Sequence, residues 1–276
     1  MAFSTNAFVK YSLESAISKI AECGYDAVEI LADKPHAFFP ISKKQQLRII
    51  DLLRNHKIAV SNVNANTAYG FFDDGVHEDP FEPSLASSDE KRRRWRINYT
   101  KQAIDFASLI DARNISITSG KPVSGYAREE RMERFLESLR ELVKYASVKK
   151  IGIGLEYEPG LLIENANQTS SIIKEVNSEY LGVNLDIGHC QLIGEHIPQI
   201  IEIFSGRIFN IHLYDINGRR HYHLIPGKGA VDFLSVFESL RNVRYNRYVT
   251  VELYTFANKP LYAAHKALDH LRKVQG

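Results

Sequence analysis

The feature that most constrains this chain is an eightfold alternation between short apolar or β-branched runs and longer segments of helical period. The runs fall at residues 2–8, 27–31, 59–65, 114–119, 151–156, 181–186, 208–214 and 248–253. Helical patterns include 12–22, 43–55, 89–109, 129–147 and 232–240, with a last one over 260–274. Polar residues near several of their starts are suited to capping. Such alternation implies parallel strands, which need crossover helices because a tight turn cannot join parallel neighbours. Eight units with nothing left over predict a closed (β/α)8 barrel, the TIM barrel, rather than an open doubly wound sheet. The 276 residues, 44% of them hydrophobic, suffice for one large core. No low-complexity linker divides them, so residues 1–276 read as one barrel domain.

Charge excludes some partners. Thirty-five basic and 33 acidic side chains leave a formal charge of +2, which gives no global attraction toward nucleic acid or an anionic membrane. A small-molecule partner is expected, with neither nucleic acid nor membrane, and a homo-oligomer is compatible with the composition. The two cysteines, Cys23 and Cys190, lie far apart and form no CxxC pair, so neither a disulfide framework nor a cysteine zinc site is expected. The N-terminal residues lack a long apolar run after a basic start, and no later segment approaches the roughly 20 apolar residues of a membrane span. A cytoplasmic protein is expected.

The chemistry gathers at the ends of four consecutive runs. IGIGLE ends at Glu156 and LGVNLD at Asp186, while IFNIHLYD places His212, and YVTVELY places Glu252, among apolar neighbours. Neighbouring strands lie about 4.8 Å apart, so the four side chains can converge at the C-terminal rim of a barrel. A single acid at a strand end is often a helix cap or a solvated rim residue, but four in register on successive strands point to one shared site. Three carboxylates held together repel and resist burial unless a cation compensates them. One divalent metal resolves the conflict. Oxygen-rich ligation with a single imidazole favours Mn²⁺ or Mg²⁺ and allows Zn²⁺ or Co²⁺. Glu158 shares a face with Glu156 by strand alternation and is an alternative ligand.

The motifs LEYEPG, NLDIGH, IHLYD followed by HLIPGKG, and VELY resemble the sugar phosphate isomerase/epimerase superfamily of xylose isomerase-like barrels, whose members include ketose 3-epimerases, hydroxypyruvate isomerases and inosose dehydratases. The resemblance runs over essentially the whole chain. It implies that Glu156, Asp186, His212 and Glu252 bind the metal and that Glu156 and Glu252 also serve as catalytic acid and base. It further implies substrate contacts from His189, three residues after Asp186, and from Arg219. The spacing from His212 to Arg219 is one residue longer than in the ketose epimerases, and Arg220 sits beside it.

The reaction expected is proton transfer in a sugar or sugar phosphate. A metal chelated by a carbonyl and its neighbouring hydroxyl stabilises the enediolate formed when the adjacent carbon loses its proton. One of Glu156 and Glu252 would abstract that proton, and the other, or the same one, would return it, giving epimerisation or aldose–ketose isomerisation. His36 after the second run, Asn64 in the third and Asn66 just after it are further candidate pocket residues. The loop over 66–88, rich in Gly, Pro, Asp and aromatics, would leave the third strand at the active end as a substrate cover or as a plain insertion. The PGKG segment at 226–229 reads as a tight turn rather than a phosphate site.

Three other readings compete. A metal-dependent lyase of the 3-dehydroshikimate or inosose dehydratase type begins with the same proton removal. An endonuclease IV-like hydrolase would use the run Lys91, Arg92, Arg93, Arg94, Trp95, Arg96 on phosphates, although such a run early in a helix is ordinarily a solvated face. A non-catalytic sugar-binding protein would retain the pocket without turnover.

Overall fold

The computed structural model describes residues 1–72, 79–122, 127–218 and 220–275. Eight parallel strands close into a barrel in chain order: β1 (Ala2–Ser4), β2 (Ala27–Leu31), β3 (Ala59–Asn64), β4 (Asn114–Ile117), β5 (Gly152–Leu155), β6 (Leu181–Asp186), β7 (Ile208–Leu213) and β8 (Val249–Val251). The ring closes where Ala2 and Phe3 pair with Thr250 and Val251. The expected barrel is thus the observed one, with several strands shorter than their apolar runs. β1 stops at Ser4 because the Ser4 hydroxyl accepts the amide of Asn6, at 3.4 Å, and turns residues Thr5–Phe8 into a 3₁₀ coil.

The outer ring contains α1 (Leu13–Glu22), α2 (Lys43–His56), α3 (Glu90–Leu109), α4 (Arg128–Lys149), α5 (Ala166–Val176), α6 (Ile187–Ile193), α7 (Ile197–Ile203), α8 (Phe233–Asn242) and α9 (Pro260–Gln275). Side-chain oxygens start many of them: Ser12, Ser42, Asp89, Asn165, Asp186 and Asp232 each accept an amide of the first turn, filling donors that a helix start leaves open. The β6–β7 crossover is split into α6 and α7. Gly194 ends the first in the left-handed region at φ +76°, and Pro198 opens the second with the φ a first turn needs.

Between strands and helices lies a continuous apolar layer that includes Phe3, Ile17, Ile30, Ile104, Phe135, Leu139, Ile153, Ile211 and Leu268. The barrel's interior is different. Inward positions carry buried Glu29, Asn62, Ser116, Asn184, Asn210 and Thr250. Asn62 donates to Glu29 (2.8 Å) and Ser116 (3.0 Å), Asn210 donates to Asn184 Oδ1 (2.8 Å), and Thr250 donates to Asn210 Oδ1 (2.9 Å). Each of these polar residues meets a partner, which is what makes a polar interior tolerable. This layer is the floor of the site.

The basic run and the PGKG turn are both tied into the fold. In the basic run on α3, Arg94 pairs with Glu141 at 2.8 Å, Arg93 donates to Ser87 O, and buried Arg96 donates to the carbonyls of Ala65, Asn66 and Thr67. Arg96 therefore anchors the loop after β3. In PGKG, the Asp215 carboxylate accepts the amides of Gly227 (2.8 Å) and Gly229 (2.7 Å), filling the cradle an anion would need. Among the described residues no helix is long and apolar enough to cross a membrane.

Candidate metal centre at the mouth of the barrel

Sequence alternation places the site residues directly above the polar floor. Asn184 is two residues before Asp186, Asn210 two before His212, Thr250 two before Glu252 and Gly154 two before Glu156, so floor and site are successive inward positions of the same strands. Asp186 and His212 are register partners across β6 and β7. Glu156 and Glu252 stand one residue beyond β5 and β8. All four are at least nine-tenths buried.

They converge on one imidazole nitrogen. His212 Nδ1 lies 3.1 Å from Glu156 Oε2, 3.5 Å from Glu252 Oε2 and 3.9 Å from Asp186 Oδ2. Its other nitrogen, Nε2, lies 2.7 Å from the Glu29 carboxylate. A carboxylate accepts, so Nε2 carries the hydrogen, and the Nδ1 lone pair, which accepts from the Asn184 amide at 3.1 Å, also faces three carboxylates. Four electron-rich groups facing one point are unfavourable in a buried setting unless a positive charge joins them. Burial opposes an imidazolium at His212, but Glu252, Glu29 and Glu156 outweigh it and raise its pKa well above the ordinary value. Burial, with Glu156, Glu29 and Asp186, also pushes Glu252 well above the usual carboxylate range despite His212. Both shifts express the same demand for a cation.

The donor set fits a divalent ion on a further count. Asp186 Oδ1 caps α6 through the amide of His189 at 2.9 Å, while its buried Oδ2 accepts no hydrogen bond among the described residues. A carboxylate oxygen left so in the interior is the mark of a missing partner. Amides aim the two glutamates: Asn66 (2.9 Å) and Asn184 donate to Glu156 Oε2, the oxygen that faces His212, and Asn6 (2.8 Å) and Asn64 (3.2 Å) donate to Glu252 Oε1. Glu29 supplies a buried carboxylate behind the imidazole, the arrangement that fixes tautomer and raises basicity in metal sites.

A cavity of about 400 Å³ opens above this centre, lined by Asn6, Asn64, Asn66, Glu156, Glu158, His189, His221, His223, Glu252 and Tyr254, among others. The loop after β3 contributes Thr67, Tyr69, Pro80 and Phe81 to its wall; its residues 73–78 lie outside the described residues. Glu158 is not part of the group around His212. It stands with His189 and His221, each placing one donor atom within 4.8 Å of the others, and burial, with Glu156 and Asp186, pushes its pKa up to about 7. Arg219 lies outside the described residues.

His36 is a correction. Its Nδ1 meets Thr5 Oγ1 at 3.1 Å and its Nε2 the carbonyls of Phe8 and Tyr11 at 3.3 Å each, so this buried ring ties the turn after β1 to the loop after β2 and does not line the cavity. Asn64 is brought to the cavity, but its amide is engaged by Glu29 and Glu252. Sequence reasoning missed Glu29, Asn6, His221 and His223. A charged residue inside AVEIL and a His-x-His pair after β7 were the available signals.

Known proteins match this architecture. The model of the xylose isomerase-like TIM barrel family matches residues 17–274. Fructoselysine 3-epimerase of Shigella flexneri is 27% identical over 271 residues, covering 95% of this chain and 93% of its own. Among solved structures, a D-tagatose 3-epimerase-like protein superposes with a TM-score of 0.79 at 24% identity, covering 99% of this chain and 98% of its own. The IOLI protein, solved with a bound zinc atom, superposes with a TM-score of 0.77 at 18% identity, covering 99% and 97%. With the match spanning nearly all of its eight strand–helix units, the chain belongs to the xylose isomerase-like TIM barrel family.

Proposed function

We propose that this protein is a divalent-metal-dependent sugar epimerase of the ketose 3-epimerase kind, with Glu156, Asp186, His212 and Glu252 as metal ligands and Glu156 and Glu252 as the proton-transfer pair. The observation that carries the reading is the group of three buried carboxylates around His212 Nδ1, two of which, Glu156 and Glu252, line a cavity of about 400 Å³. The 3-epimerases among the relatives favour stereochemical inversion beside a ketone over the other reactions open to such a site.

Bound there, the divalent ion supplies Lewis-acid polarisation of a carbonyl and its neighbouring hydroxyl. The chain's own work is positioning and proton transfer. Glu156, aimed by Asn66 and Asn184, and Glu252, aimed by Asn6 and Asn64, are two separately held carboxylates lining one cavity. Removal of a carbon-bound proton by one, as carboxylate, and delivery of a solvent-derived proton to the opposite face by the other, as carboxylic acid, inverts the centre and changes no substrate composition in ordinary water. Asn6 Oδ1 and Asn66 Oδ1, buried acceptors without a donor among the described residues, suit sugar hydroxyl groups. His189 and Arg219 are assigned to substrate hydroxyls, with Mn²⁺ or Mg²⁺ as the resident ion and Zn²⁺ or Co²⁺ as substitutes.

The test is proton NMR in D₂O with metal-loaded protein and a panel of ketoses, ketose phosphates and fructoselysine. One substrate is expected to gain deuterium at C3 alongside its epimer. A new conjugated chromophore with loss of water would mean a lyase instead, and tight sugar binding with no exchange would mean a binding protein.

A further inference from the structure

A chain of side-chain hydrogen bonds crosses the barrel floor from the end opposite the cavity. It starts at the half-buried Arg247, two residues before β8, whose guanidinium lies 4.7 Å from the centroid of the Phe209 ring and donates to Asn114 Oδ1 at 3.1 Å. Asn114, the first residue of β4, donates through Nδ2 to Asn62 Oδ1 at 2.7 Å and to the Ser61 carbonyl at 3.3 Å. Asn62 in turn donates through Nδ2 to Glu29 Oε2 at 2.8 Å and to Ser116 Oγ at 3.0 Å. The same Glu29 oxygen accepts the Nε2–H of His212 at 2.7 Å. Asn114, Asn62, Glu29 and His212 are all buried.

The two ends of this chain fix its direction. A guanidinium only donates and a carboxylate only accepts. Turning Asn114 over would set its NH₂ against Arg247, and turning Asn62 over would set its oxygen against Glu29. In the interior such a mismatch leaves polar groups unpaired, which is strongly unfavourable. The Ser61 carbonyl, an acceptor only, holds Asn114 in the same sense. Stacking on Phe209 would by itself serve stability at the lower end of the barrel, but it calls for no donor aimed at Asn114.

We propose that Arg247 is a positioning residue for His212: by fixing the direction of the Asn114–Asn62 chain it holds the Glu29 carboxylate where it orients the imidazole. The inference rests on the proposed function in taking His212 as a metal ligand, and extends it to a residue at the far end of the barrel.

The experiment records ¹H–¹⁵N spectra of the metal-stripped full chain and then its Zn²⁺ affinity by isothermal titration. Arg247→Met keeps an apolar stem over Phe209 and removes the donors. It is expected to shift the Asn62 side-chain amide and His212 Nε2–H signals and to weaken Zn²⁺ binding about 2–10-fold, the net contribution of one hydrogen bond. Arg247→Lys, whose head also only donates, is expected to restore both. In an Asn114→Ala background Arg247→Met should weaken binding no further, because the path is already cut. Unmoved Asn62 and His212 signals in Arg247→Met, an unchanged affinity beside a lowered Tm, or additive losses in the double variant overturn the proposal. A His212→Ala variant that binds Zn²⁺ as wild type does overturns the metal reading instead, and the spectra of the stripped protein still decide whether the chain reaches His212. Should Asn114→Ala not fold, the two Arg247 variants decide alone.

Discussion

His189 lines the cavity and His212 lies buried beneath it, and the two imidazoles are held by different means. Behind His212 stands a full charge, the Glu29 carboxylate 2.7 Å from Nε2, itself fixed by Asn62, Asn64 and Asn210. Behind His189 stands only the dipole of the Tyr157 carbonyl, 2.9 Å from Nδ1. A charged outer partner raises ligand basicity as well as fixing the tautomer, whereas a carbonyl mainly fixes it. The inner centre is also set on strands whose register the closed barrel dictates, while His221 and His223 belong to the segment between β7 and α8. The contrast predicts a tight, preorganised centre around His212 and rim histidines that adapt to what enters the cavity.

The largest effect should come from Asp186→Asn. Asparagine caps a helix as well as aspartate, so α6 should persist while the centre loses a charged ligand. Isothermal titration with Mn²⁺ should show an affinity loss greater than the roughly 10–100-fold expected for losing an outer-shell partner, with a near-normal circular dichroism spectrum. Glu29→Gln comes next. It keeps an acceptor behind His212 but removes the charge, so metal affinity should fall about 10–100-fold, and excess metal should restore turnover. An unchanged affinity would erase the distinction between the two histidines.

Gly188→Ala probes the packing of the first turn of α6 against Tyr214. A Cβ there would lie 2.2 Å from the Tyr214 ring, and relief of such overpacking typically involves about 1–3 kcal/mol. Calorimetry of the metal-stripped protein should show Tm lowered by about 2–4 °C for each kcal/mol lost. The smallest effect is expected for Arg94→Ala. Its ion pair with Glu141 is exposed at the helix surface, so stability should change by less than about 1 kcal/mol and metal binding should not change.

Much of this was legible in the sequence, for identifiable reasons. Strands buried on both faces leave continuous apolar runs, so Glu156, Asp186, His212 and Glu252 stood out as polar interruptions at matching positions. The floor was harder to read. Asn62, Asn184 and Asn210 look like strand-breaking residues in isolation, and only the two-residue step to each site residue gives their role away. Glu29 lies mid-strand on β2, far in sequence from the His212 it orients, and no local pattern encodes that distance. His36 misled because position after a strand does not specify which way a loop folds; its ring turned back to the carbonyls of Phe8 and Tyr11. Strand ends were overrun where a side chain, such as the Ser4 hydroxyl, offered the backbone another partner.

The most direct test of the central claim is deuterium incorporation from solvent into the ketose substrate by Glu156→Gln and Glu252→Gln, each loaded with metal and shown to be folded. Both variants should lose exchange by about 10²–10⁴-fold while the substrate still binds. Near-normal exchange in both would contradict the assignment of these two glutamates as the groups that move the proton.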